Sequence, residues 1–113
     1  MKVVLGGMAA ATVLMIAGSA AAQDKTKDSA MQIFVAQKCT QCHSIAGKGS
    51  KKGKLDDVGK KLTAAQIREW IVDPVGTAAK TTPPPTRKPP MKKKAIPEGE
   101  VDILVDYLAT LKG

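Results

Sequence analysis

The sequence predicts an all-α fold. Three segments carry apolar residues at helical spacing, each opened by residues that start helices, and no stretch shows the alternation of a strand. Between the second and third, residues 81–90 hold five of the seven prolines, which excludes a helix interior there.

Residues 28–38 read as the first helix. Ser29 and Gln32 form an S-x-x-Q capping box, and Ala30, Ile33, Phe34 and Cys39 lie roughly on one stripe. Residues 44–54 are a polar loop rich in Gly and Lys. A second helix starts after Thr63, with Gln66 completing another box; its apolar face is Ile67, Trp70 and Ile71, and Asp73-Pro74 stops it. The prolines of residues 81–90 favour an extended, stiff conformation. The last helix starts near Pro97, with Glu98 and Glu100 in its first turn and Lys112 near its end. Ile103, Leu104, Tyr107, Leu108 and Leu111 give it one apolar face.

A chain of 113 residues allows one small domain and excludes a multidomain enzyme. Residues 1–22 read as a signal peptide. Lys2 is followed by an apolar run, and Ser19-Ala20-Ala21-Ala22 offers a cleavage site before Gln23. An uncleaved membrane anchor is the alternative, because the uncharged stretch is just long enough to span a bilayer. Export, to the periplasm, is the common element of both. The mature domain, residues 23–113, has only Phe34, Trp70 and Tyr107 as aromatics. Such a chain is marginal on its own core, so a staple or a bulky cofactor is expected.

The two cysteines of this exported chain, Cys39 and Cys42, are followed directly by the single histidine, His43. C-x-x-C-H is the pattern of c-type haem attachment. Thiols at this spacing reach the two vinyl groups of a porphyrin as thioethers, and the adjacent imidazole becomes an axial iron ligand. A thioredoxin-like dithiol would want a βαβ context, and a zinc site would want further ligands. A plain disulfide would close too short a loop to add much stability.

The opposite face of such an iron needs a ligand. No second His and no Asn exist; Met1, Met8 and Met15 leave with the signal segment, and Met31 lies ahead of Cys39 on the same helix. Met91 is the remaining thioether, and Pro89-Pro90 before it limit the loop's freedom. Core packing is the plain reading for Phe34 and Tyr107; Trp70 could also aim its indole N–H at a haem propionate.

These features together resemble a class I c-type cytochrome. The likeness covers most of residues 29–113: an aromatic helix leading into Cys39-Thr40-Gln41-Cys42-His43, then VGKKLTAAQIREWIVDP, then PPM, then the helix with Tyr107. The resemblance implies a small fold of three or more helices around one covalently bound haem c. It assigns Cys39 and Cys42 to haem attachment, and His43 and Met91 to axial iron ligation. It also implies first and last helices packed crosswise, with Phe34 near Tyr107. In two places the chain departs from the family pattern. Gly53-Lys54-Leu55 lacks a proline that commonly stiffens the loop whose carbonyl orients the imidazole, and Ala30 stands where a glycine is common at the helix crossing.

Six-coordinate iron leaves no open site, so the resemblance implies a non-enzymatic, monomeric electron carrier shuttling between redox partners. The alternative is a five-coordinate haem protein that binds a gas or acts like a peroxidase. Lys88, Lys92, Lys93 or Lys94 could also displace Met91 at high pH. The formal net charge is +8, and Arg87, Lys88, Lys92, Lys93 and Lys94 cluster around Met91. This cluster predicts docking to acidic surfaces on redox proteins, soluble or membrane-bound. A nucleic-acid role is poorly supported in an exported chain with few aromatics for stacking.

Overall fold

The computed structural model describes residues 19–113, so the signal segment read over residues 1–22 lies outside the described residues but for its last four. In order, the chain forms α1 (Ser19–Ala36), a 3-10 turn (Cys39–Gln41), β1 (Ser44–Ile45), β2 (Lys48–Gly49), a second 3-10 turn (Lys51–Gly53), α2 (Val58–Lys61), α3 (Ala64–Val72), α4 (Pro74–Lys80) and α5 (Glu98–Leu108). Among the described residues, no helix is long and apolar enough to cross a membrane.

The first helix begins well before the expected start at residue 28. Ala20, Ala21 and Ala22 are the strongest helix formers, and they carry the helix through to Ser29. Ser29 therefore has helix on both sides and no orphan N–H to cap, so the expected box with Gln32 does not form. The stripe it was meant to open is real: Ala30, Ile33 and Phe34 are all buried, Ala30 completely. Lys38 ends the run in the left-handed region (φ 59°) and turns the chain into the first 3-10 turn.

The loop after this turn is more ordered than its composition suggests. β1 and β2 pair antiparallel, Ser44 with Gly49 and Ile45 with Lys48, around a two-residue turn at Ala46-Gly47. Both turn residues have positive φ, the geometry that fits the twist of a tight hairpin. Ala46 is an unusual occupant, and its N–H is held by Asp56 Oδ1 at 2.7 Å.

The Thr63–Gln66 box forms as expected: Gln66 N–H donates to Thr63 Oγ1 at 3.2 Å, and Thr63 N–H donates to Gln66 Oε1 at 2.9 Å. Asp73-Pro74 does stop α3, but it also starts α4. Asp73 Oδ1 accepts from Gly76 N–H at 3.1 Å, and Pro74 occupies the first turn, where its missing N–H costs nothing. The final helix ends at Leu108, earlier than expected. Lys112 lies beyond it and donates from Nζ to the Gly59 carbonyl at 2.7 Å.

α5 is the hub. It packs against α1 on one side and α3 on the other, and Arg68 of α3 pairs with Asp102 of α5. Because two helices flank it, its fully buried stripe is Val101, Leu104, Val105 and Leu108, while Ile103, Tyr107 and Leu111 are only half-buried. Phe34 and Tyr107 belong to the same cluster, together with Ile33, Ile45 and Ile67.

Gly59 allows α2 to lie on the end of α5. Its N–H donates to the Leu111 carbonyl at 2.8 Å, and a β-carbon there would fall 2.2 Å from the Ala109 oxygen. In an open helix Gly→Ala stabilises by about 1 kcal/mol. Here the clash is with backbone, which cannot rotate away, so Gly59→Ala should destabilise by about 1–3 kcal/mol. Chemical denaturation of the mature protein checks this; an unchanged or raised midpoint would show that α2 does not seat on α5.

Candidate functional site

The first helix delivers the Cys-Thr-Gln-Cys-His motif on one tight turn. The Cys39 carbonyl accepts the N–H groups of both Cys42 (3.1 Å) and His43 (2.8 Å), which gathers the two sulfur-bearing residues and the imidazole on a single turn. No disulfide joins the two cysteines, and both are half-buried. Burial pushes the Cys39 thiol above its usual value, with the Lys94 charge opposing. A dithiol oxidoreductase needs the opposite shift, and the surrounding fold is helical with only a two-residue strand pair.

The next loop folds back over the turn and clasps it. Ser50 N–H is shared between the carbonyls of Thr40 (3.0 Å) and His43 (3.1 Å). Gly49 lies so close that a β-carbon would sit 2.0 Å from the His43 oxygen, and its φ of +112° excludes most side chains independently. Leu55 N–H donates to the Ser44 carbonyl at 2.9 Å, and Ser44 bridges Lys54, which sets the position of Gly53.

Gly53 orients the imidazole. His43 Nδ1 is 3.1 Å from the Gly53 carbonyl. A carbonyl only accepts, so Nδ1 carries the proton and the Nε2 lone pair is left for a metal. The loop without a stiffening proline thus still makes the expected hydrogen bond. Burial lowers the His43 pKa from its usual value; the Gly53 bond opposes this, and the nearby Arg87 charge adds to it. The net shift favours the neutral imidazole, the form that binds metal.

Two sulfurs and one imidazole with a free Nε2 on a single turn suit a porphyrin held by thioethers and ligated once from the protein. Among the described residues, no group of three or more His, Cys, Asp or Glu is placed to hold a bare metal ion.

The other expected site residues lie elsewhere. Met91 is 39% exposed on the irregular segment between α4 and α5. Trp70 is half-buried on α3, and its indole N–H has no hydrogen-bond partner among the described residues. The cations around Met91 divide into two kinds. Arg87 donates to the Cys42 carbonyl, and Lys94 Nζ donates to the Gln37 carbonyl at 2.6 Å, so neither is simply a solvated charge. Lys88, Lys92 and Lys93 are exposed and make no ion pair or hydrogen bond among the described residues. Nothing in a run of basic residues separates the two kinds. The one hint is that arginine occurs at only two positions, 68 and 87, and both make tertiary contacts.

No curated protein and no solved structure gave a match. The model of the cytochrome c family does match, over residues 28–112, which spans the motif, the clasping loop, α3, the proline-rich segment and α5. Proteins of that family carry an iron haem c by covalent attachment and use it for electron transfer. With the match covering most of its length and the helical architecture in agreement, the chain belongs to the cytochrome c family.

Proposed function

We propose that the protein is a periplasmic carrier of single electrons, with haem linked to Cys39 and Cys42 and iron ligated by His43 and Met91. The observation that carries this reading is the hydrogen bond from His43 Nδ1 to the Gly53 carbonyl, which selects the tautomer that leaves the Nε2 lone pair for a metal. When bound, the haem supplies a one-electron couple whose potential the thioether ligand raises. Cys39 and Cys42 anchor the group. His43 would hold the iron through Nε2. Met91 would supply the second ligand, a set that leaves no position for substrate and fits a carrier rather than an enzyme. Trp70 offers its unpaired indole N–H to a propionate. Lys88, Lys92 and Lys93, exposed and unpaired, present positive charge to acidic redox partners, including membrane-bound ones. Residues 1–22 direct export.

The test is the visible spectrum of the mature protein, oxidised and reduced, before and after denaturing extraction. Haem that stays with the chain, a low-spin spectrum and the weak ferric sulfur-to-iron band are expected. Covalent haem with a high-spin ferrous spectrum would move the assignment to a five-coordinate, ligand-binding protein. Met91→Ala should lose the band, lower the reduction potential and admit carbon monoxide; an unchanged potential and spectrum would refute the Met91 assignment.

Steering by the lysines has its own signature. Replacing Lys88, Lys92 and Lys93 together by Gln should slow electron transfer to an acidic partner about tenfold at low salt. The difference should vanish at high salt, where exposed charges are screened. Rates that do not depend on ionic strength would rule out charge-guided docking.

A further inference from the structure

Between α4 and α5 the chain runs without regular structure, and within residues 82–93 only one side chain hydrogen-bonds to the rest of the described protein: Arg87. Its guanidinium donates to the carbonyl of Cys42. It also lies against Gly53, where a β-carbon would come within 2.0 Å of Nη1 and 2.2 Å of the Cys42 oxygen. Gly53 is the residue whose carbonyl holds His43. One half-buried cation therefore touches both the second cysteine's backbone and the residue that orients the imidazole. It does so from the segment that carries Met91. On the far side of Met91, Lys94 ties the same segment to the end of α1 through the Gln37 carbonyl at 2.6 Å.

We infer that Arg87 is the positioning residue of the metal centre, latching the Met91 segment to the Cys42–His43 turn and favouring the reduced state through its fixed charge. The inference rests on the His43/Met91 reading above. Two physical arguments support it. A thioether is a weak ligand, so its occupancy depends on how far the loop is confined before the bond forms. Arg87 and Lys94 bracket Met91 and supply that confinement on both sides. Second, oxidised haem bears one more positive charge than reduced haem, and a nearby cation disfavours that added charge. Arg87 is half-buried and therefore less screened than the lysines around it. Lysine would not substitute fully, because the planar fork both reaches a carbonyl and covers a glycine, whereas an ammonium is a point charge.

The experiment uses the haem-loaded protein and the variants Arg87→Gln and Arg87→Lys, with exposed Lys80→Gln as a charge control. Imidazole is titrated into the ferric form while the sulfur-to-iron band is followed, and the reduction potential is measured separately. Losing a charge-assisted hydrogen bond should let imidazole displace Met91 at about tenfold lower concentration in Arg87→Gln. The potential should fall as well. Arg87→Lys should keep most of the potential and lose part of the resistance to imidazole, and Lys80→Gln should match the parent in both. Imidazole affinity and potential unchanged in Arg87→Gln would overturn the inference. Should Arg87→Gln fail to load haem, Arg87→Lys decides alone, and its unchanged imidazole affinity would overturn the latch. A parent protein without the band would instead remove the Met91 ligation itself, so the two failures are distinguishable.

Discussion

An imidazole on a surface turn rotates about two bonds, and here the Gly53 carbonyl removes that freedom by accepting from His43 Nδ1 at 3.1 Å. The bond sets the tautomer and the direction of Nε2 together, which a metal ligand requires. Much of the surrounding loop can be understood as what holds that carbonyl in place. The second 3-10 turn, Lys51–Gly53, brings it round, and the Ser44–Lys54 bridge fixes its height. Asp56 steadies the hairpin by holding Ala46 in the left-handed region, and the C-terminal Gly113 N–H donates back to the Asp56 carbonyl at 3.0 Å. A loop that lacks proline is rigid here because its hydrogen bonds close on themselves.

The helices supply the frame for this turn. α1 leads into the motif and packs against α5, with Ala30 completely buried. Around it the core is made of Val101, Leu104, Val105 and Leu108 beside a single buried aromatic, Phe34. Nearly every fully buried side chain is aliphatic and of modest size, a thin core for a domain of this length. The apolar bulk of a covalently held haem answers that deficit, so cofactor and fold are interdependent.

Local chemistry was legible in the sequence, and distant partners were not. Thr63–Gln66, Ala30–Ile33–Phe34 and the Cys-x-x-Cys-His turn rest on residues within a few positions of one another, and each forms as its spacing requires. Ser29 misled because a capping residue acts only where a helix begins, and the alanines before it move that beginning upstream. Asp73-Pro74 was read as a stop alone, although an Asp followed by Pro is equally a helix start. The buried face of α5 could not be read from periodicity, because its width depends on α1 and α3 both packing against it. Arg87 and Lys94 were hidden for the same reason: their partners, Cys42 and Gln37, are more than forty positions away in sequence.

That last pair changes what the positive charge of this protein means. A basic run around Met91 reads at first as one patch with one purpose, to attract an acidic partner. The structure divides it by solvent contact. Lys88, Lys92 and Lys93 face water without partners among the described residues, and salt screens their field over about 10 Å at 0.1 M. Arg87 is half-buried against the backbone of the motif, where screening is weaker. On the proposed reading, charge that steers encounter and charge that acts on the metal centre are carried by different residues of one short segment. That reading lets ionic strength, or changes in the lysines, alter how fast partners meet while Arg87 keeps its contribution to the field at His43.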